Sequence, residues 1–118
     1  MKGKLFLIHW NRAEAEERAQ RFRADGWDVR YEAEDGSKAY QAVGEFLPDV
    51  VVVSLVRLPS HGRVTSEHIR QRKATRAIPI VFVDGDREPL EKTKTAVPDA
   101  VYTTSAALDG VLAALANP

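Results

Sequence analysis

His9, Ser54 and Asp84 each follow directly on a short apolar run: residues 5–8, 50–53 and 80–83. If those runs become neighbouring strands, an imidazole, a hydroxyl and a carboxylate end side by side, the residue types of an acyl-transfer triad. Such a triad needs Ser–His and His–Asp hydrogen bonds and an oxyanion hole. Nucleophilic serines of α/β enzymes usually sit in a Gly-flanked elbow, and Val53-Ser54-Leu55 is not one. The preferred expectation is a polar cluster that satisfies itself, with no catalytic residue and no enzyme activity. His9 and Asp84, with His61, also offer imidazole and carboxylate ligands to a transition metal. No compact His-x₃-His or His-x-His spacing supports that, so no metal and no cofactor is expected. His61 and His68 are expected on the loop and the exposed face of a helix. Between Arg57 and Arg76 stand six basic residues (Arg57, Arg63, Arg70, Arg72, Lys73, Arg76) against one acid, Glu67. No stacking aromatics are interleaved with them, so a solvated helix face is preferred over nucleic-acid binding.

These residues are positioned by elements that alternate in kind. Residues 4–8 form an apolar run with the pattern of a buried strand. Asn11-Arg12-Ala13-Glu14 has the form of a capping box, opening a helix that carries Ala15, Ala19 and Phe22 on one face. Glu14–Arg18 and Glu17–Arg21 are spaced to pair on its wet side, and Gly26 supplies a left-handed stop. Residues 27–32 alternate Trp27, Val29 and Tyr31 against Asp28, Arg30 and Glu32, a strand with one exposed face. Asp35-Gly36-Ser37 is turn chemistry before a helix with Ala39, Ala42, Val43 and Phe46 inside. The four valines of 50–53 and the run Ile80-Val81-Phe82-Val83 predict strands buried on both faces. Between them, residues 62–74 predict a polar helix anchored by Val64 and Ile69. Residues 87–96 predict a charged helix and residues 100–103 a short fifth strand. Ser105 is placed to cap a last helix carrying Leu108, Val111, Leu112 and Leu115.

Five β-α units with apolar central strands specify an α/β fold, a doubly wound parallel sheet with right-handed crossovers. The half-exposed second strand belongs at an edge, which gives the order 2-1-3-4-5 and puts function beyond the carboxyl ends of strands one and three. The chain has 118 residues, no cysteine, and seventeen basic residues balanced by seventeen acidic ones. That length suits one domain, 1–118, able to fold without disulfide or metal. Balanced charge gives no global field towards nucleic acid or anionic membrane. The apolar run at 5–8 is too short for a signal peptide or a membrane span, so a soluble cytoplasmic protein is expected.

Several motifs together resemble the receiver domain of two-component response regulators over essentially the whole chain. They are Pro48-Asp49 before 50–53, Leu58-Pro59-Ser60-His61-Gly62, Ile69-Arg70 followed by the stretch from Lys73 to Val81, and Pro98-Asp99-Ala100. The resemblance implies a flavodoxin-like (βα)₅ three-layer sandwich. It also implies a phosphorylation site at the strand ends: an acceptor Asp after strand three, an acid pair after strand one, Thr/Ser after strand four and Lys after strand five. At the matching positions this chain has Ser54; His9 and Trp10, with Asn11 following; Asp84; and Thr104, or Ser105 if the register slips by one. Pro59 lies one residue later than the family pattern relative to Ser54.

Each change removes an element of the phosphoryl chemistry. An imidazole and an indole do not replace the hard anionic oxygens that Mg²⁺ requires. A serine hydroxyl cannot form an acyl phosphate, and Asp84 puts negative charge where a phosphoryl oxygen would sit. Trp10 is expected to plug the vacated pocket, the alternative being an exposed anchor for a partner. The resemblance therefore implies a degenerate pseudo-receiver, a signalling domain that docks on another protein without phosphorylation. Its docking face would span residues 88–114, with Tyr102 and Thr103 near the switch position. A homodimer through the fourth and fifth helices would suit the family. The competing expectation is a small-ligand or metal-binding protein using the strand-end pocket of His9, Ser54 and Asp84.

Overall fold

The structure, a computed structural model, describes residues 2–116. Its elements run β1 (Gly3–Ile8), α1 (Arg12–Ala24), β2 (Trp27–Glu32), α2 (Gly36–Phe46), β3 (Val50–Ser54), α3 (Pro59–Gln71), β4 (Ile80–Val83), α4 (Arg87–Ala96), β5 (Val101–Thr103) and α5 (Leu108–Ala116). The strands form one sheet in the order β2-β1-β3-β4-β5, and every pairing is parallel. Val50, Val51, Val52 and Val53 are fully buried at its centre, as are Ile80 to Val83. β2 lies at the edge expected of an alternating strand, with Trp27 and Val29 inside and Asp28 and Arg30 in water.

Successive side chains of a strand point to opposite faces, so the sheet carries two cores. Leu5, Leu7, Val50, Val52, Val81 and Val83 pack under α1 and α5. Phe6, Ile8, Val51, Val53, Ile80 and Phe82 pack under α2, α3 and α4. The two strand-end residues that follow Ile8 continue this alternation. His9 falls on the α1 side and Trp10 on the α3 side, which decides what each can touch.

Three helix expectations are corrected. α3 begins at Pro59 and stops at Gln71, because proline is pre-organised for the first helical position. In that frame Val64 is 44% exposed and does not anchor the helix; the inward stripe is Gly62, Thr65, Ser66 and Ile69. Gly62 matters here because a Cβ at that position would lie 2.8 Å from Val53 Cγ1. Asn11 Oδ1 accepts from Glu14 N–H at 3.0 Å, but Glu14 does not complete the box, since its carboxylate is engaged elsewhere. For the same reason Glu14 does not pair with Arg18, whereas Glu17 and Arg21 do pair at 2.6 Å. α5 starts at Leu108, and Ser105 serves Asp84 rather than capping it. Gly26, at φ +103°, ends α1 in the left-handed region as its position suggested.

Candidate functional site

His9 follows β1 and is 1% exposed. Its Nε2 lies 2.9 Å from Glu14 Oε1 in the first turn of α1. The other oxygen of Glu14 accepts from Arg57, which follows β3, at 2.7 Å. The hydrogen bond from Arg57, and then that from His9, hold the Glu14 carboxyl down to about 2. Burial is the main influence on His9 and lowers its pKa, against the opposing pull of Glu14. A neutral imidazole has a single N–H, and the carboxylate requires it on Nε2. Nδ1 is then a bare acceptor, buried and without a donor.

Trp10 is 8% exposed and packs with Val53, Leu55 and Ile69 in the core under α3. Its ring meets His61 edge to face at 6.0 Å. The indole N–H is buried and has no acceptor. Gly62 lies alongside, where a Cβ would make an ordinary contact of 3.7 Å with Trp10 Nε1.

Ser54, 1% exposed, ends β3 and accepts from Val56 N–H at 3.4 Å. Leu55 follows it into the core, continuing the ladder with a bond to Val83 O at 3.1 Å. Asp84 follows β4 in the left-handed region, at φ 61°. Its Oδ1 accepts from Ser105 N–H at 2.9 Å, and Oδ2 accepts from the Ser105 hydroxyl. Arg18 closes this group from α1, 3.8 Å from Asp84 and 3.0 Å from Ser105 Oγ. Ser105, not Thr104, is thus the residue that bonds Asp84. Thr104 is exposed, and its hydroxyl accepts from Ala107 N–H at 3.3 Å.

The strand ends therefore gather His9, Trp10, Ser54 and Asp84 without making a triad. His9 is bonded to Glu14, Ser54 to Val56 and Asp84 to Ser105. Among the described residues no group of three or more His, Asp or Glu is placed to hold a metal. Clefts lie between α1 and α5, between α2 and α3, and between α3 and α4, and none of these three is lined by His9, Trp10, Ser54 or Asp84.

This is the receiver fold. The chain matches the signal receiver domain of a signal transduction histidine kinase from Syntrophus aciditrophicus with a TM-score of 0.78 at 14% identity, covering 97% of this chain and 89% of that one. The chemotaxis protein CheY4 of Vibrio cholerae matches with a TM-score of 0.79 at 14% identity, over 95% of this chain and 97% of that one. A LuxR-family two-component response regulator from Aurantimonas sp. matches with 0.72 at 25% identity, over 95% and 86%. No protein-family model and no curated protein matches the sequence.

On the sheet's opposite edge, Tyr102 is turned inward. Its ring stacks on Phe82 at 5.2 Å, and its single O–H proton is shared between Val97 O at 2.7 Å and Thr93 O at 2.9 Å. Burial, with the Asp99 charge, pushes its pKa up to about 12. Thr103 pairs with Val83 and accepts from Asp84 N–H, so β5 and the Asp84 turn are tied together. The basic run is largely consumed within the fold. Arg57 binds Glu14, Arg63 lies 3.7 Å from Glu67, Arg70 binds Asp99 at 3.0 Å, and Arg72 covers the Tyr40 ring at 4.8 Å.

Sequence reasoning missed Glu14, Arg57, Arg18 and Leu55 as strand-end residues. A signal for the first two was available: a carboxylate five residues after His9 and a guanidinium three after Ser54 flank the same strand ends. Both fit equally well as surface helix and loop charges.

Proposed function

We propose that the chain is a receiver-like signalling module that acts by protein–protein interaction without being phosphorylated. The observation that carries this is the packing of Trp10. An apolar ring, 8% exposed, fills the α3 side of the strand ends where the resemblance implies a metal-binding acid. Beside it, Glu14 and Arg57 form an ion pair, and the Asp84 carboxylate accepts from Ser105 with Arg18 3.8 Å away. The acceptor position holds a serine buried beneath the following loop, so neither Mg²⁺ nor phosphate finds its usual ligands.

The docking face is the α4–β5–α5 edge. Val101 there is 36% exposed, and Tyr102, tied to the last turn of α4, keeps the helix and the strand in one arrangement. A second copy of this chain and a different signalling protein are the two candidate occupants. Incubation with acetyl phosphate and Mg²⁺, followed by intact mass measurement, should yield no phosphoryl adduct; an alkali-labile adduct refutes the first half of the proposal. For the second half, sedimentation and affinity capture should show a complex that Val101→Glu breaks and Glu16→Lys, on α1, leaves intact. Equal behaviour of the two variants refutes the face.

A further inference from the structure

A cleft of about 390 Å³ lies between α2 and α3, within the size range of small-ligand sites. α3 contributes His61, Val64, Thr65 and His68, residues of one helical face, and α2 opposes them with Gly36 and Tyr40. Thr65 is the residue that singles this cleft out. It is only 5% exposed, and its hydroxyl lies against Gly36, where a Cβ would come within 2.8 Å of Oγ1. Buried hydroxyls elsewhere on the helices are spent on their own backbone: Ser66 donates to Gly62 O at 2.7 Å and Thr93 to Pro89 O at 2.7 Å. The Thr65 hydroxyl makes no such bond, nor any other among the described residues, and it borders the cleft. A buried hydroxyl without a partner carries a desolvation cost, which a ligand in the cleft would relieve.

The rest of the lining defines what that ligand is. No lysine or arginine is among the lining residues, so an anion finds no counter-charge there. The one carboxylate is that of Asp35, whose Oδ1 already accepts from Ser37 N–H at 2.8 Å and Lys38 N–H at 3.1 Å. The other polar side chains are hydroxyls, on Ser37, Tyr40, Ser60 and Thr65, and two imidazoles. A hydroxyl both donates and accepts, as does a neutral imidazole, so the matching ligand carries groups that do both. Apolar surface for a ring comes from Val64, 44% exposed, and from Tyr40, whose ring is held under the Arg72 guanidinium at 4.8 Å. Ser60 and His68 stand eight residues apart on α3, about 12 Å along its axis, so one small ring fills only the middle of the cleft. Val64 and Thr65 lie at that middle.

We infer that this cleft binds an uncharged monosaccharide, its ring over Val64 and opposite Tyr40, with one of its hydroxyls paired to Thr65. The inference is independent of the docking role proposed above.

Amide NMR titration of the whole chain with glucose, galactose and mannose tests it. Glucuronate (the same kind of ring with a negative charge) and cyclohexanol (a ring with one hydroxyl) run in parallel. At least one hexose should give saturable shifts centred on Gly36, Tyr40, Val64 and Thr65. Both controls should bind at least about tenfold more weakly than that hexose. Thr65→Val keeps the shape of the side chain and removes an unpaired hydroxyl, so it should fold as the wild type does and weaken the hexose by about tenfold. Val64→Arg changes an exposed residue and replaces the apolar surface with a long charged chain, which should abolish saturable binding. Absence of saturable shifts with all three hexoses, or unaltered binding in Val64→Arg, overturns the site. Glucuronate or cyclohexanol binding as well as the best hexose overturns the ligand class, and a folded Thr65→Val that binds unchanged overturns the pairing with Thr65.

Discussion

Replacing Trp10 by alanine removes an indole that is 92% buried (100% less the 8% exposed) from the core under α3. Truncating a buried large aromatic costs about 3–5 kcal/mol. Here the wild type already carries a penalty, because the indole N–H has no acceptor. An unsatisfied buried donor costs about 1–3 kcal/mol, which the truncation relieves. The net loss for Trp10→Ala should therefore be about 2 kcal/mol rather than 4. Trp10→Phe keeps an aromatic plug, loses the orphan donor and leaves a small void. Those last two effects are each of order 1 kcal/mol and opposite in sign, so its stability should match the wild type to within about 1 kcal/mol. Urea unfolding followed by circular dichroism measures both. With a slope of roughly 1–3 kcal/mol per molar urea, the alanine variant's midpoint should fall by about 1 M. A phenylalanine variant that loses as much as the alanine variant would show that the indole N–H is satisfied in solution. An alanine variant as stable as wild type would show that the ring does not fill the strand ends at all.

Acid should destabilise the fold in two steps. The His9 pKa is lowered from 6.5, so the unfolded chain takes up that proton first and stability falls as pH drops below about 6.5. Glu14, held at about 2 against 4.5, adds a loss between those two values, and Glu14→Gln should remove that lower step from a plot of Tm against pH. In alkali, Tyr102 is raised from 10.0 to about 12, so its contribution is intact below pH 10 and is lost as pH rises through 12. Tyr102→Phe should abolish the last phenolate in an absorbance titration, and should cost about 1 kcal/mol for the lost bond to the α4 carbonyls. Leu47 ends α2 in the left-handed region, at φ 48°, while 51% exposed. Leu47→Gly should thus stabilise by about 0.5–1 kcal/mol in the same urea assay, since relief of a strained L-residue outweighs the entropy of glycine.

The sheet was legible because burial writes itself into composition. Four consecutive valines at 50–53 and the Ile80-Val81-Phe82-Val83 run have few alternatives to strands covered on both faces, and the alternation of 27–32 marks an edge. Strand order follows from handedness once that edge is known. Burial of Trp10 was likewise foreseeable, since an apolar ring beside a strand end has a core to enter. Helix α3 was misjudged at Val64 because its inward face is made of Gly62, Thr65 and Ser66, small residues that hydropathy does not flag. Their burial depends on Ser66 donating to its own helix, at 2.7 Å to Gly62 O, and on the close approach to Val53.

The partners of Glu14 were decided by tertiary structure, although Glu17 and Arg21 pair at the helical spacing the sequence shows. Glu14 has Arg18 one turn away and His9 and Arg57 within reach across elements, and pairing at helical spacing is worth only a few tenths of a kcal/mol. That is too little to compete with a buried imidazole that needs an acceptor for its N–H and a guanidinium that arrives from β3. The same holds at Asp84, where a left-handed backbone turns the carboxylate onto Ser105 rather than Thr104. Hydrophobic order is carried by the residue itself and its period in the chain, and so the sequence determines it. The partner of a polar group depends on the last few ångströms of packing, which only the assembled strand ends supply.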